Sequence, residues 1–324
     1  MTARGAVLGV DVGGTGIKAR LTADDGRLLD EQRVPTPRDD PAAGALAVVV
    51  ADLAVHARSV ARQHGAGLDA VGLVVPGVVD EAAGRSVLSV NLGWQDVPVR
   101  QRVAATLRAT GTDVPLAFGH DVRAGALAEV RAGGLDRGTV AFVPVGTGLA
   151  SALVVDGRVV SGDGWAGEIG QVRIVHGPHA GLRVEEVASA GAVARRSGAP
   201  TAHAAMLRVR ADDLVARRAW DDCVDVLADV LAWLTAAAGC HTLVIGGGLA
   251  QSGPLLLDPL TAALGDRLVG VRVPAVVGAR HGDTAGAIGA ALLAQELLDR
   301  DLPSHRRQDD DRPHRDDGRT AVSA

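Results

Sequence analysis

The stretch Leu8-Gly9-Val10-Asp11-Val12-Gly13-Gly14-Thr15-Gly16-Ile17-Lys18-Ala19 decides how this 324-residue chain folds. The apolar residues that lead into it predict a buried strand, which ends in an acid, two glycines and a hydroxyl residue. Glycine lets a ligand approach the backbone closely, and successive backbone N–H groups in such a turn form a concavity that binds anions. We therefore predict a phosphate-binding turn, in which Thr15 adds a hydroxyl donor and Asp11 holds a metal ion or its waters.

Three kinds of phosphate loop can be compared with this stretch, and an ordinary tight hairpin without a ligand is a fourth interpretation. The G-x-x-x-x-G-K-[ST] loop fails because Lys18 is followed by Ala19. A dinucleotide fingerprint, G-x-G-x-x-A, fits Gly14, Gly16 and Ala19, but it must open a helix, and residues 24–26 turn the chain too soon. We favour a strand, a glycine turn and a second strand, which form a hairpin whose tip touches phosphate.

Composition and charge narrow the class of protein. The chain is long enough for two domains, and 47% of its residues are apolar, so it can bury a large core. A net charge of −5 argues against binding to nucleic acid. Lys18 is the only lysine in the chain, which suggests a role for it at the glycine turn.

The sequence also gives expectations about location. Cys223 and Cys240 form neither a disulfide framework nor a C-x-x-C site, so we expect a reducing, cytoplasmic compartment. The first predicted strand begins within a few residues of Met1, so we expect no signal peptide. Every apolar run is interrupted by a charge or a glycine before it reaches about 18 residues, so we expect no membrane span.

The pattern of strands and helices predicts two related halves. Residues 6–34 read as three strands joined by the glycine turn and by a second tight turn, and residues 139–161 repeat this plan. Helices alternate with strands after the first hairpins, which suggests a mixed sheet with helices on both faces. We place the domain boundary after residue 117, with a small N-terminal domain over 1–117 and a large C-terminal domain over 118–282. The charge-dense residues 302–324 are typical of a disordered tail.

Three glycine turns follow apolar strands, and together they point to a nucleotide. The first covers residues 13–16, and the others are Gly146-Thr147-Gly148 and Gly246-Gly247-Gly248. Two such turns facing each other across a cleft would grip a polyphosphate through backbone N–H groups. The third would let a flat base lie against bare backbone, so nucleotide binding accounts for all three turns.

Two acids lie beside these turns. Asp121 directly follows a predicted strand, and a carboxylate there suits a base that accepts a hydroxyl proton during phosphoryl transfer. The alternative is that Asp121 only caps the helix that follows, because aspartate is a favoured N-cap. Glu168 and Gln171 lie among glycines, where they could bind hydroxyl groups or belong to a solvated loop. A histidine metal site is not favoured, since the chain has no H-E-x-x-H pattern and no cysteines near the histidine-rich loop.

Taken in order, these motifs resemble those of the ROK family of sugar kinases, which have the actin- and hexokinase-like ATPase fold. The resemblance runs from Leu8 to about Gln295. The segments that carry it are Asp11-Val12-Gly13-Gly14-Thr15, Val75-Pro76-Gly77-Val78-Val79-Asp80, Asn91-Leu92-Gly93-Trp94, Gly146-Thr147-Gly148, Gly167-Glu168-Ile169-Gly170, Gly246-Gly247-Gly248 and Ala285-Gly286-Ala287-Ile288-Gly289-Ala290-Ala291. Each segment is short, and the specificity lies in their order.

The resemblance implies an α/β protein with the two-domain, actin-like ATPase (ribonuclease H-like) fold, with mixed sheets and an interdomain cleft. The final helix, residues 283–299, would pack back on the first domain. It also implies a homodimeric enzyme that uses ATP and Mg²⁺ to phosphorylate a sugar hydroxyl, usually the 6-hydroxyl of a hexose, with Asp121 as the catalytic base. The implied substrate contacts are Asn91, His120, Asp121, Glu168, Gln171 and Glu185. The implied nucleotide contacts are Asp11 (through Mg²⁺ and water), Gly13, Gly14, Thr15, Lys18, Gly146, Thr147, Gly148, Gly246, Gly247 and Gly248.

Three departures from the family pattern bear on the substrate. His120 replaces the asparagine that precedes the base, and Gln171 replaces the histidine of the G-E-I-G-H segment. The segment that resembles the family's zinc motif, residues 178–185, contains no cysteine, so we expect no structural zinc. Its closing acid is Glu185, with Glu186 as an alternative register. Because a site built for one pattern of hydroxyls discriminates against another, glucose itself is in question.

Three functions are compatible with these residues. The first is a kinase for a hexose, an aminosugar or a sugar-like cyclitol. The second is a sugar-responsive repressor, which needs a helix-turn-helix before the first strand, and we expect none because few residues precede that strand. The third is a sugar or nucleotide sensor without catalysis, which the changes at His120 and Gln171 favour and the retained Asp121 and Glu168 oppose.

Overall fold

A computed structural model describes residues 5–301 of the chain, and the predicted disordered tail, residues 302–324, lies outside the described residues. The described part contains two five-stranded mixed sheets and a smaller three-stranded sheet. The strands are β1 (Gly5–Val12), β2 (Gly16–Ala23), β3 (Leu28–Pro35), β4 (Gly67–Val75), β5 (Val78–Asp80), β6 (Arg85–Ser89), β7 (Trp94–Val97), β8 (Leu116–His120), β9 (Thr139–Pro144), β10 (Ala152–Val155), β11 (Arg158–Val159), β12 (Thr242–Gly246) and β13 (Ala275–Gly278). The helices are α1 (Gly44–Gln63), α2 (Val99–Ala109), α3 (Asp121–Gly133), α4 (Ala190–Arg196), α5 (Ala202–Arg210), α6 (Leu214–Ala238), α7 (Gly247–Ala250), α8 (Pro254–Arg267) and α9 (Ala285–Asp301).

The first sheet has the order β3-β2-β1-β4-β8 and is built around the first glycine turn. β1 and β2 are antiparallel with Val12 opposite Ile17, so the chain reverses over residues 13–16. On its other side β1 pairs with the parallel strand β4, and this central position explains why β1 is an almost continuous apolar run. β8 runs parallel to β4, so Asp121 leaves the sheet at the same edge as Asp11.

The second sheet, β11-β10-β9-β12-β13, repeats the first strand for strand. β9 and β10 are antiparallel and flank the glycine turn at residues 146–148. β12 runs parallel to β9 and ends at Gly246, so the second and third glycine turns leave this sheet at the same edge. The shared topology supports the internal duplication that the repeated strand–turn–strand plan predicts.

Helices α3 and α9 connect the two sheets. α9 packs on β1, β4 and β8, α3 packs on β9 and β10, and the two helices pack on each other. Glycines make this close packing possible. A Cβ on Gly72 of β4 would overlap the carbonyl oxygen of Ala290 in α9, and a Cβ on Gly289 of α9 would overlap the carbonyl oxygen of Ala124 in α3.

Two predicted domain limits shift in the structure. β8 pairs with β4 through His120, so the predicted boundary after residue 117 cuts a strand of the first sheet. We propose instead that the first domain runs through His120. The final helix, predicted over residues 283–299, spans Ala285–Asp301 after a 3₁₀ turn. It packs on α3 as well as on the first sheet, because alanine and glycine make up most of its first half.

Three features of the fold were not predicted from the sequence. Residues 78–97 form a small antiparallel sheet, β5-β6-β7, and Asn91 lies in the turn between its last two strands. Helix α8 and strand β13 were also missed. The strands β5, β6, β7 and β13 are only three to five residues long, which is too short for a clear apolar alternation.

Within residues 5–301, one helix has the length and composition to cross a membrane: α1, with 20 residues and a mean hydropathy of 1.5. Its position shows why it is apolar. Leu46, Val50, Leu53 and Ala54 are buried in the core between α1, α2 and the first sheet, while Asp52 lies on the exposed face. α1 is therefore a core helix of the first domain.

Candidate active site

The first glycine turn is held by hydrogen bonds at its base and is exposed to solvent at its tip. Gly13 N donates to Gly16 O at 3.0 Å and closes the turn. The buried Thr36, directly after β3, stabilises the turn through two hydrogen bonds. Its Oγ1 donates to Gly13 O at 2.7 Å, and its N–H donates to Thr15 O at 3.3 Å. Gly14 and Thr15 are exposed at the tip, where their backbone is accessible to a ligand.

The second and third glycine turns form one unit through Val145. Gly146 N donates to Gly148 O at 3.0 Å and closes the second turn. Val145 N donates to Gly246 O at 2.9 Å, and Val145 O accepts from Leu249 N at 3.1 Å. Gly247 has φ 77° and packs on the Val145 backbone, so only glycine fits there. Thr147 and Gly248 are exposed.

A row of four carboxyl groups joins the first turn to the second. Burial raises the pKa of Asp11 from 3.8 to about 7, and the nearby charge of Asp121 adds to the rise. Burial likewise raises the pKa of Glu168, and the charges of Asp121 and then Glu185 add to it. Glu185 lies against Gly148, where an added Cβ would be 2.9 Å from its Oε2. The row therefore runs from Asp11 through Asp121 and Glu168 to the second turn.

His120 caps helix α3. Its Nδ1 accepts a hydrogen bond from Arg123 N at 3.3 Å, as an N-cap side chain does. We infer that the neutral ring carries its proton on Nε2, which lies 3.4 Å from Asp121 Oδ1. Burial lowers the pKa of His120 and so favours this neutral form. The N-cap residue of α3 is therefore His120, and Asp121 is the first residue of the helix.

The carboxylate of Asp121 uses one oxygen for the protein. Oδ1 accepts from Val122 N at 2.7 Å and faces the His120 ring. Among residues 5–301 no protein donor is hydrogen-bonded to Oδ2. Asp121 therefore has a fixed orientation and one oxygen free to accept a proton.

Asn91 and Lys18, both predicted to contact ligands, flank the first turn in different ways. Asn91 is exposed and lies beside Gly14, where an added Cβ would be 3.5 Å from Asn91 Cβ. Lys18 lies opposite Asp11 on β2, and its Nζ is 3.7 Å from Asp283 Oδ2. Asp283 also pairs with Arg33, whose Nη1 lies 2.7 Å from the same oxygen. Lys18 therefore belongs to an ion cluster at the edge of the turn.

The two possible closing acids both contact Arg183, but they differ in their other partners. The charge of Glu185 acts on Glu168, whereas Glu186 Oε2 accepts a hydrogen bond from Arg183 N at 2.7 Å. The predicted substrate contact Gln171 is exposed, and its Oε1 accepts from Arg183 Nη1 at 2.8 Å. Glu185 is thus the acid of this segment that lies in the carboxyl row.

Comparison with known proteins places this site in a family. The sequence profile of the ROK family matches residues 7–297. The chain belongs to the ROK family. A glucokinase from Halalkalibacterium halodurans is 28% identical over 89% of this chain and 94% of its own length. An N-acetylmannosamine kinase from Escherichia coli O157:H7 is 30% identical, with 89% and 98% covered.

A solved structure shows the same fold. The crystal structure of a ROK family glucokinase from Streptomyces griseus, in complex with glucose and AMPPNP, superimposes with a TM-score of 0.75 at 25% identity, covering 90% of this chain and 100% of that one. This likeness confirms the predicted two-domain, actin-like ATPase fold with its interdomain cleft. This ROK protein lacks the cysteines of the family's zinc motif, because its cysteines, Cys223 and Cys240, both lie outside residues 178–185 and are buried.

One buried charged residue of this ROK protein, Arg123, was missed by sequence reasoning. Arg123 is buried, and its guanidinium donates to Glu81 Oε1 at 2.9 Å, to Val79 O at 3.3 Å and to Gly164 O at 3.4 Å. It therefore ties the first domain to the loop that carries Glu168. Nothing in the local sequence signals this, because the partners lie more than 40 residues away along the chain.

The residues at the first turn fit a nucleotide with a divalent cation. Asp11 and Asp121 are like charges close together at a partly buried edge, and a bound cation would relieve their repulsion. The exposed backbones of Gly14 and Thr15 on one side and Thr147 on the other are the surfaces that a phosphate chain would need.

The raised pKa of Asp11 predicts a pH-dependent cost to folding. Between about pH 4 and pH 7 the folded protein keeps a proton on Asp11 that the unfolded chain releases, so this group lowers the free energy of unfolding as pH rises. We expect Asp11→Asn to melt at a higher temperature than the wild type at pH 8, with the gap closing towards pH 4. Thermal unfolding of both proteins across this range, with a chelator present, measures the gap. A gap that stays constant with pH would contradict the assignment.

Proposed function

We propose that this ROK protein transfers the terminal phosphoryl group of ATP to a sugar hydroxyl, the primary 6-hydroxyl of a hexose, with Asp121 as general base. The observation that carries the proposal is the row of carboxyl groups between the two glycine turns. The mutual influence of these charges, and the position of Glu185 against the second turn, support a base at Asp121 between the phosphate-binding turns and the acids that would bind sugar hydroxyls. The glucokinase and N-acetylmannosamine kinase relatives support the same reaction class.

In the proposed reaction each residue of the site has a separate role. Asp121 Oδ2 accepts the proton of the attacking hydroxyl, whose oxygen forms a bond to the γ-phosphorus as the bond to the bridging oxygen breaks. Val122 N and the His120 ring keep Oδ1 in place, so the reacting oxygen does not rotate away. Bound ATP supplies the phosphoryl group, and Mg²⁺ held near Asp11 neutralises charge on its phosphates.

The backbone turns hold the nucleotide. Gly14 and Thr15 on one side, and Thr147 and Gly148 on the other, present N–H groups to the phosphates, whereas Gly13 and Gly146 use their N–H groups to close the two turns. Gly246, Gly247 and Gly248 give the adenosine a surface without side chains, which supports their assignment as its contacts. Lys18 contributes positive charge at the edge of the site, where it also pairs with Asp283.

The charge of the site limits the substrate. Asp121, Glu168 and Glu185 are all acids, so an anionic sugar would meet repulsion, whereas a neutral hexose would find hydroxyl acceptors. An aminosugar kinase is the second candidate, and the relative named as an N-acetylmannosamine kinase favours it. A cyclitol kinase or a sensor without catalysis stays as a weaker alternative, since the base and Glu168 are both retained. We further propose Mg²⁺ dependence, a cytoplasmic location and a homodimer.

A coupled assay of ADP release over a panel of sugars tests the proposal. The panel should contain glucose, mannose, N-acetylmannosamine, glucosamine, a cyclitol and, as an anionic control, glucuronic acid. We expect turnover with at least one neutral hexose or aminosugar and none with the anionic sugar. ADP release that no sugar stimulates, from protein that is shown by its melting curve to be folded, would refute the kinase assignment.

A further inference from the structure

The loop that carries Glu168 folds back on itself before it returns to the site. Ile174 N donates to Leu182 O at 2.8 Å, Gly181 N donates to Ile174 O at 2.8 Å, and Val184 N donates to Val172 O at 2.9 Å. These bonds form a narrow ladder, which brings the two ends of the loop together. Its closing end, residues 184–188, is anchored in the core by Val184, Val187 and Ala188, so the side chain of Glu185 is left to be oriented by other contacts.

One guanidinium group fastens that closing end. Arg183 Nη1 lies 2.8 Å from Gln171 Oε1 and 2.9 Å from Glu185 Oε1. Its Nε is 3.4 Å from Glu186 Oε2, and the same carboxylate oxygen accepts a hydrogen bond from Arg183 N at 2.7 Å. Glu186 thus fixes both the backbone and the side chain of Arg183, and Arg183 in turn links Gln171 to Glu185.

The charge of Arg183 matters at this position. Glu185 and Glu168 are close enough for the charge of Glu185 to act on Glu168, and Asp121 adds a further negative charge. Like charges at this spacing push one another apart unless a cation compensates them. A single exposed ion pair contributes little, but here one half-buried arginine serves several acceptors in one fixed arrangement.

We propose that Arg183 is a positioning residue of the sugar site, which holds Glu185 against the second glycine turn and in line with Glu168. It does so as a cross-link between Gln171 and Glu185 within a segment that has no cysteines to bind a metal. The expected effect of Arg183 on sugar binding rests on the proposed kinase function, whereas its expected effect on the order of residues 184–188 does not.

The test compares Arg183→Met with Arg173→Met. Within residues 5–301 the side chain of Arg173, on the same ladder, donates to the backbone oxygen of Gly181 at 2.7 Å, and its charge is the weakest of the influences that lower the pKa of Glu186, so it controls for loss of a loop arginine. Hydrogen exchange of the backbone over residues 184–188 is measured first. We expect it to rise at least about tenfold in Arg183→Met, and to rise much less in Arg173→Met and in Arg183→Lys.

Steady-state kinetics follow with the best sugar from the panel. We expect Arg183→Met to raise KM for the sugar about tenfold and to leave KM for ATP within about twofold, with Arg183→Lys recovering part of the loss. Unchanged exchange over residues 184–188 overturns the proposal even if no sugar is phosphorylated. If hydrogen exchange rises but KM for the sugar is unchanged, Arg183 does not position the sugar site. Equal rises in KM for the sugar and KM for ATP would indicate a merely structural role of Arg183 and would also overturn the proposal.

Discussion

Replacing Asp121 by asparagine is expected to lower kcat about 10³-fold while sugar and nucleotide still bind with near-normal affinity. The amide has almost the same shape and can still accept a hydrogen bond from Val122 N through its oxygen. It cannot take the proton of the attacking hydroxyl, because a neutral amide is a very weak base. Kinetics in the ADP-release assay measure the loss, and calorimetric titration measures the binding.

A matched control separates this effect from the loss of any negative charge. Asp113 is an exposed acid in the loop before β8, and it lies outside the carboxyl row. We therefore expect Asp113→Asn to leave kcat unchanged. Near-normal turnover by Asp121→Asn would remove Asp121 as the base. An equal loss in both variants would point to a general electrostatic effect.

Replacing Gly72 by alanine is expected to lower the free energy of unfolding by at least about 3 kcal/mol. An added Cβ would overlap the Ala290 carbonyl oxygen, and neither the central strand β4 nor the helix α9 can move without disturbing its neighbours. The helix also carries the packing between the two sheets, so the whole fold is affected. Urea unfolding followed by circular dichroism measures the change.

Gly265→Ala is the control for this substitution. Gly265 is exposed in α8 and has nothing within 4 Å of an added Cβ. Alanine is the better helix former, so this variant should be stabilised by about 0.5–1 kcal/mol. If Gly72→Ala were as stable as the wild type, the close approach of β4 and α9 would be wrong.

Much of the first sheet and its glycine turn was predictable because the relevant signals are local. The apolar run before Asp11 and the glycines after it define a strand and a turn within a dozen residues, and the structure has both. The repeat of this plan at residues 139–161 made the second sheet predictable in the same way. The position of Asp121 after β8 is also a local feature.

The remaining parts depend on contacts between residues far apart in the chain. Thr36 braces the first turn, and Arg123 joins two loops, but neither lies in a motif or an apolar pattern. The N-cap role of His120 was not predictable because histidine is not among the usual N-cap residues, although its ring nitrogen can accept a hydrogen bond from the start of a helix. The contacts of Arg183 are not predictable from its own segment, because its partner Gln171 lies twelve residues earlier, across the fold of the loop.

The most direct test of the account is a crystal structure of the protein with a non-hydrolysable ATP analogue, Mg²⁺ and the sugar that turns over fastest. We predict phosphate oxygens hydrogen-bonded to backbone N–H groups of both residues 14–15 and residues 147–148, with the reactive hydroxyl within about 3.2 Å of Asp121 Oδ2. A phosphate chain bound away from the two turns, or a sugar with no hydroxyl within about 5 Å of that oxygen, would contradict the account.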